Sequence, residues 1–255
     1  PFHFSRARSS GSGGLGISWL VDQVLHRAFV FDRLLAEGYV VVYTEGRREI
    51  EEAYGTETPA VLDHQDLITT FRYVQRLPLV DPQRVGFFGV SHGGELQMKL
   101  ISEVGDGPAA LVPGEPAVIE YLGLRYEGPR TERNLQFNAD LGDEQIDFER
   151  AWQRIQRISP AVPILVLGRD GDHLQGLFRK LYELLVRAGK SASWRSWVHP
   201  EQAYHWGPRR VETVLAFHGS VAEVAQGGYD ADPIQRETLD TVVAFLNQHV
   251  RDKKR

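Results

Sequence analysis

Short apolar runs alternate along this chain with longer segments in which apolar residues recur every three or four positions. The short runs, rich in β-branched and aromatic residues, lie at 39–43, 84–89, 109–112, 161–168 and 193–198. The segments with helical periodicity lie at 19–36, 59–76, 91–104, 174–188 and 233–250. This alternation of strand and helix patterns predicts an α/β fold, with a mostly parallel sheet and helices on both of its faces.

Residues 115–159 interrupt that alternation. The segment is polar, contains Gly-Pro at 128–129 and ends in a helical pattern over 144–158. We predict that it is a small cap inserted over the carboxyl ends of the strands, and a linker without regular structure is the alternative. The whole chain has 255 residues, the size of one α/β unit, so we expect a single domain over 1–255.

Composition removes several classes of function. Lys and Arg number 29 against 34 Asp and Glu, and the formal charge of −5 gives no electrostatic reason to expect nucleic acid or an anionic membrane as a partner. Cysteine is absent, which excludes disulfides, thiolate metal sites and a cysteine nucleophile. No apolar run approaches the about 18 residues of a membrane-spanning helix. The nine histidines show no metal-binding spacing, so no metal or other cofactor is expected.

The first residue is Pro1 rather than methionine, so we expect that sequence at the N-terminal end has been removed or replaced. The cytoplasm is the default expectation for this chain, and a lost signal peptide is the alternative. The oligomeric state is left open by the sequence.

The sharpest chemical signal is the segment Gly89-Val90-Ser91-His92-Gly93-Gly94. It follows the apolar run 84–89 and precedes a helical pattern, which is the strand, turn and helix context of a nucleophile elbow. Such a turn is tight, so the residues two positions before and after the serine must be small, and Gly89 and Gly93 satisfy this. We therefore predict that Ser91 is a nucleophile presented at the carboxyl end of a strand.

A serine hydroxyl needs a base, and the base needs an acid that orients it. Asp170 and Asp172 both follow the apolar run 161–168, at the end of a predicted strand. His205 lies well past the end of the next predicted strand, where a loop can carry it toward Ser91, and His199 is the weaker alternative. The order serine, acid, histidine along the chain is the order of α/β hydrolases.

Four segments carry a resemblance to α/β hydrolases of the dienelactone-hydrolase and prolyl-oligopeptidase-like group. They are VDPQRVGFFGVSHGG, PILVLGRDGDH, VHPEQAYHWG and AFLNQHV, and the resemblance spans about residues 10–250. It implies the α/β-hydrolase fold, with Ser91 as nucleophile, His205 as base and Asp172 as acid. Asp170 stays as the rival acid, because this loop departs from the usual spacing.

The oxyanion that forms during attack needs two N–H donors. The resemblance implies the backbone of His92 for one, and for the other the glycine-rich segment 9–16, where Ser12 is the candidate and Gly13 the alternative. This part departs from the family, since Ser10 stands where a histidine is common and the first strands are missing. A glycine-rich tail without a catalytic role is the competing interpretation.

Aromatic residues suggest a binding pocket. Trp206 beside the candidate base, together with Tyr121 and Trp152 in the predicted cap, are candidates to contact substrate, and a small core beneath the cap is the alternative role. The expected activity is hydrolysis of a small carboxylic ester through an acyl-enzyme, without cofactor or metal. A prolyl-oligopeptidase-type (S9-type) serine peptidase acting on short peptides, and a non-catalytic binding protein on a hydrolase scaffold, are the alternatives.

Overall fold

The computed structural model of the protein describes residues 30–44, 63–125, 140–170, 172, 174–198 and 233–253. Residues 30–36 are helical, and the further helices are α1 (Asp63–Val74), α2 (His92–Val104), α3 (Ile119–Leu122), α4 (Phe148–Gln156), α5 (Gln175–Arg187) and α6 (Pro233–Leu246). A 3₁₀ turn spans Asp143–Gln145, and α6 continues into a wider helical turn over Asn247–Arg251.

Four strands form one parallel sheet in the described part of the chain. They are β1 (Gly86–Val90), β2 (Ala110–Gly114), β3 (Ile164–Asp170) and β4 (Ala192–Val198), and they lie side by side in that order. Because all four run in the same direction, their carboxyl ends meet at one edge of the sheet. A site assembled from the loops after these strands would lie along that edge.

Alternate residues of the central strands enter two different cores. Leu111, Ile164 and Val166 join a cluster with α1, α2, α4 and α5 on one face of the sheet. Ala110, Val112, Leu165 and Leu167 join a second cluster with the 30–36 helix and α6 on the other face. Both faces are therefore covered by helices, which explains why these strands read as continuous apolar runs and confirms the predicted α/β architecture.

Helix α2 is almost entirely buried, from Gly93 to Ser102. Its polar side chains therefore need partners inside the protein. The Lys99 ammonium is 2.8 Å from a carboxylate oxygen of Glu120, and the Glu95 carboxylate accepts a hydrogen bond from the backbone N–H of Tyr121 at 2.6 Å. These contacts tie α2, the helix that follows Ser91, to the short helix α3.

The run 39–43, predicted as a buried strand, is not a strand in the structure. Tyr39 and Val41 pack against the second core cluster, whereas Val40 and Val42 are 56% and 46% exposed. The Tyr39 hydroxyl donates to Asn247 Oδ1 at 2.9 Å, which joins the segment to the C-terminal helix. The prediction of full burial on both faces was wrong because only every second side chain faces the core.

The described residues of 115–159 pack into the first core cluster. Tyr121, Ile146 and Ile155 are completely or almost completely buried there. Residues 126–139 lie outside the described chain, so the cap insertion stays a prediction. In the described ranges no helix has the length and apolar character that crossing a membrane requires.

Candidate active site

Ser91 occupies the turn between β1 and α2 with a strained backbone. Its φ of +56° and ψ of −118° fall outside the regions that L-amino acids ordinarily adopt. The residue is exposed, and its hydroxyl makes no capping hydrogen bond to the helix that follows. Strain of this kind persists only where the surrounding structure enforces it, and it concentrates at functional sites.

Two glycines make the turn sterically possible. A Cβ on Gly89 would lie 2.7 Å from the Gln97 amide nitrogen and 3.1 Å from the Gly93 carbonyl. A Cβ on Gly94 would lie 2.8 Å from Cβ of Pro116, in the loop after β2. A side chain at Gly89 would therefore collide with α2, as expected for a residue two positions before Ser91. A side chain at Gly94 would collide with the loop after β2, against which α2 packs.

The loop after β2 holds the turn through backbone hydrogen bonds. The Ser91 N–H donates to the Gly114 carbonyl at 2.9 Å, and the Ala117 N–H donates to the Ser91 carbonyl at 3.2 Å. Between them Glu115 also has a positive φ, of +42°. Both the N–H and the carbonyl of Ser91 are thus hydrogen-bonded to the chain at and after the end of β2.

The backbone and the side chain of His92, the first residue of α2, have different surroundings. The positive end of the helix dipole lies at this first turn, where the Gly94 and Glu95 N–H groups donate to the Ser91 carbonyl at 3.0 and 3.3 Å. The imidazole is turned inward, with Nε2 3.7 Å from Asp63 and Nδ1 3.7 Å from Glu95. Burial by itself lowers the pKa of His92, but these two carboxylates outweigh burial and raise it above the ordinary value.

Asp172 and Asp170, the two candidate acids, have different surroundings. Asp172 is 1% exposed; its Oδ1 accepts a hydrogen bond from the Leu174 N–H at 2.8 Å and its Oδ2 one from Arg169 Nε at 3.0 Å. Asp170, the last residue of β3, has a side chain that is 38% exposed. One of its oxygens accepts from the Gln175 amide at 2.6 Å and the Ser196 hydroxyl at 2.8 Å.

Arg169 and Glu115 complete this region, and sequence reasoning missed the role of the arginine. Both are buried, and an Arg169 nitrogen lies 3.5 Å from the Glu115 carboxylate and also contacts Asp172. Glu115 is the residue directly after β2, at the same edge of the sheet as Ser91. An arginine at the end of an apolar strand was the available signal, since a buried charge needs a partner.

Tyr121 and Trp152, the proposed pocket aromatics that the structure describes, lie within the packed part of the molecule. Tyr121 is completely buried, and its hydroxyl is 2.7 Å from that of Ser102. The Trp152 ring stacks on Phe148 at 5.7 Å, and the Arg187 guanidinium lies over both rings. For Tyr121 this is the core role that the sequence left as the alternative to substrate binding.

Several candidate residues lie outside the described chain, namely Ser12, Gly13, His199, His205 and Trp206. The structure thus brings together Ser91, His92 and Glu115 at the ends of β1 and β2, with Asp172 joined to Glu115 through Arg169. In the described ranges no group of three or more His, Asp or Glu side chains is arranged to hold a metal ion.

No protein-family model matches the chain, and no curated protein matches it either. Among solved structures, carboxyl esterase 2 from the mycorrhizal fungus Tuber melanosporum superposes with a TM-score of 0.57 at 14% identity. The match covers 89% of this chain and 73% of the esterase. The chain has the α/β-hydrolase fold.

Two further structures with the hydrolase fold match more loosely. An esterase from the bacterial hormone-sensitive lipase family has a TM-score of 0.49 at 19% identity, covering 76% of this chain and 62% of that one. The acylaminoacyl peptidase of Pyrococcus horikoshii has a TM-score of 0.46 at 15% identity, covering 75% of this chain and 28% of the peptidase. The chain therefore spans less than two thirds of the length of these two proteins. In α/β hydrolases the nucleophile lies on a sharp turn from a strand into a helix, and Ser91 lies between a strand and a helix.

Proposed function

We propose that the protein is a serine hydrolase that cleaves small carboxylic esters through an acyl-enzyme intermediate. The observation that carries this proposal is the state of Ser91: it is exposed, its backbone between β1 and α2 is strained, and hydrogen bonds to Gly114 and Ala117 hold it in place. A plain connection between a strand and a helix has no need of a positive φ at serine. In a nucleophile turn the serine hydroxyl is exposed at the edge of the sheet where the loops meet.

In the proposed first step, Ser91 Oγ attacks the ester carbonyl while His205 accepts the hydroxyl proton. The carbonyl oxygen becomes an oxyanion, for which the His92 N–H at the start of α2 and an N–H of Ser12 are the proposed donors. When the tetrahedral intermediate collapses, the alcohol leaves with the proton that His205 returns. Water, deprotonated by the same histidine, then releases the acid and regenerates Ser91.

Asp172 is the proposed acid, and Asp170 remains its rival. An acid acts by orienting the imidazole and by stabilising its positive form, and it does so better where water cannot screen the charge. Both carboxylates accept hydrogen bonds from fixed donors, so it is the burial of Asp172 that favours it over the half-exposed Asp170. Asp172→Asn should therefore lower kcat more than Asp170→Asn, and the reverse order would reassign the acid.

A fluorophosphonate probe tests the nucleophile directly, because it reacts with an activated serine and stays attached. We expect one label per chain, located at Ser91 by peptide mass spectrometry, and none on Ser91→Ala. Ser191→Ala, at an exposed serine just before β4, is the matched control and should label like the wild type. Folded wild-type protein that takes up no label would contradict the proposed nucleophile.

A substrate panel tests the bond that is cleaved. Short and long p-nitrophenyl esters, sugar acetates, feruloyl esters and peptide anilides would be compared by kcat/KM, with Ser91→Ala as the background. The proposal expects hydrolysis of one or more ester classes. Cleavage of the anilides alone would instead indicate the S9-type peptidase activity, and no turnover in a protein that labels at Ser91 would point to a substrate outside the panel's chemistry.

A further inference from the structure

The Arg169 guanidinium joins two carboxylates that belong to different loops. Its Nε lies 3.0 Å from Asp172 Oδ2, its Nη2 contacts the same oxygen, and Nη2 also lies 3.5 Å from Glu115 Oε2. All three side chains are at most 4% exposed. A planar guanidinium fixes the direction of such bonds, which a lysine ammonium cannot do.

The Glu115 side of this network reaches the nucleophile through the backbone. Glu115 donates its N–H to the Leu167 carbonyl at 2.9 Å, and its neighbour Gly114 accepts the N–H of Ser91. The positive φ of Glu115 turns the chain so that Ala117 can donate to the Ser91 carbonyl. The carboxylate that contacts Arg169 therefore belongs to the residue next to Gly114, whose carbonyl accepts the hydrogen bond from Ser91.

The Asp172 side of the network ends at helix α5. The Asp172 N–H donates to the Arg169 carbonyl at 3.1 Å, and the Gln175 N–H donates to the Asp172 carbonyl at 3.1 Å. With the bond from Leu174 N–H to its carboxylate, Asp172 is held by a closed turn between β3 and α5. The Arg169 guanidinium connects this turn to the loop after β2 through its contacts with Asp172 and Glu115.

The charges in the network are unequal. Two carboxylates share one guanidinium, so the three groups carry a net charge of −1 when all are ionised. A buried negative charge is costly by itself but favours a cation that forms beside it. The proposed reaction creates a positive imidazolium next to its acid, so the net negative charge of the three groups would stabilise that imidazolium.

We propose that Arg169 is a positioning residue that holds Asp172 as the acid and fixes it, through Glu115, relative to the Ser91 turn. The inference rests on the proposed hydrolase function. Arg169 touches no reacting atom in this scheme; it acts on the orientation of one carboxylate and separates it from the like charge of the other.

Three variants separate orientation from charge. Arg169→Lys keeps the positive charge but loses the planar fork, so kcat for p-nitrophenyl acetate should fall roughly 10–100-fold with KM little changed. Arg169→Gln removes the charge as well, so the two carboxylates repel and one binds a proton more readily, which moves the acidic limb of kcat/KM to higher pH. The double variant Arg169→Gln/Glu115→Gln removes that repulsion, so the limb should return toward wild type while kcat stays low.

A merely structural arginine would lower stability without moving the pH profile or the kcat-to-KM pattern. Circular dichroism and urea midpoints identify variants that fail to fold, and Arg169→Lys, which keeps the charge balance, decides the question if Arg169→Gln does not fold. Folded Arg169→Lys with wild-type kcat would overturn the inference, provided that wild-type Ser91 takes up the fluorophosphonate label. A wild type that does not label would overturn the proposed function and this inference together.

Discussion

Replacing Ser91 by glycine should stabilise the protein while abolishing the proposed activity. The φ of +56° at Ser91 costs a residue with a Cβ about 1–3 kcal/mol, and glycine adopts such angles without that cost. Glycine also lowers the free energy of unfolding by about 0.5–1 kcal/mol, because it gives the unfolded chain more conformational freedom. The net gain expected for Ser91→Gly over Ser91→Ala therefore lies between about 0 and 2.5 kcal/mol.

The alanine variant is the proper reference, because it lacks the hydroxyl but keeps the strained Cβ. Ser91 is exposed and its hydroxyl caps no helix, so neither variant loses burial or a cap. Urea unfolding followed by circular dichroism gives the free energy of unfolding, and in a chain of this size each kcal/mol shifts Tm by about 2–4 °C. If Ser91→Gly is less stable than Ser91→Ala, the backbone of Ser91 is not strained and the main support for the nucleophile turn is lost.

Three further substitutions test the surroundings of the turn. Gly94→Ala should cost about 1–3 kcal/mol in urea unfolding despite alanine's higher helix propensity, because its Cβ would lie 2.8 Å from Pro116 Cβ; an unchanged midpoint would contradict this packing. The raised pKa of His92 stabilises the protein fully at pH below about 6.5 and progressively less as pH rises through the folded pKa. His92→Gln should therefore lose less stability between pH 6 and 9 than the wild type does, measured as urea midpoints. If both proteins lose the same amount, His92 is not the cause of the pH dependence. Tyr121→Phe should cost about 1 kcal/mol by removing the hydrogen bond to Ser102 and leave KM unchanged; a raised KM would support a pocket role instead.

The sheet was largely predictable because its strands are buried on both faces. Each described strand, from β1 to β4, overlaps a predicted apolar run, and the alternation with helices predicted parallel pairing. The run 39–43 has the same composition but only half of its side chains face the core. Composition reports how apolar a segment is, whereas pairing depends on a neighbouring strand that lies elsewhere in the chain.

The site was predictable only where its chemistry is local. Ser91 and its glycines lie in one short motif, and the structure places them at one turn. The contacts of Asp63 with His92, and of Glu115 with Arg169, join residues far apart in the chain, so no spacing pattern could indicate them. The Glu115–Arg169 pair follows from the register of the sheet, and the Asp63–His92 pair from the packing of α1 against α2; no local pattern in the sequence specifies either.

That register also explains why the strain lies where it does. Among the described residues, two that are not glycine have a positive φ, and they are Ser91 and Glu115. Val90 pairs with Gly114 in the parallel ladder, so the two strained residues are the next ones along on adjacent strands. Each is fixed by a backbone hydrogen bond to the following strand, from Ser91 to β2 and from Glu115 to β3. The sheet thereby bends the chain twice at one edge: the first bend presents the hydroxyl, and the second directs a carboxylate toward Arg169. Strain at a single turn is common in loops. Matched strain at neighbouring strand ends, one of which a buried arginine connects to Asp172, favours a single site.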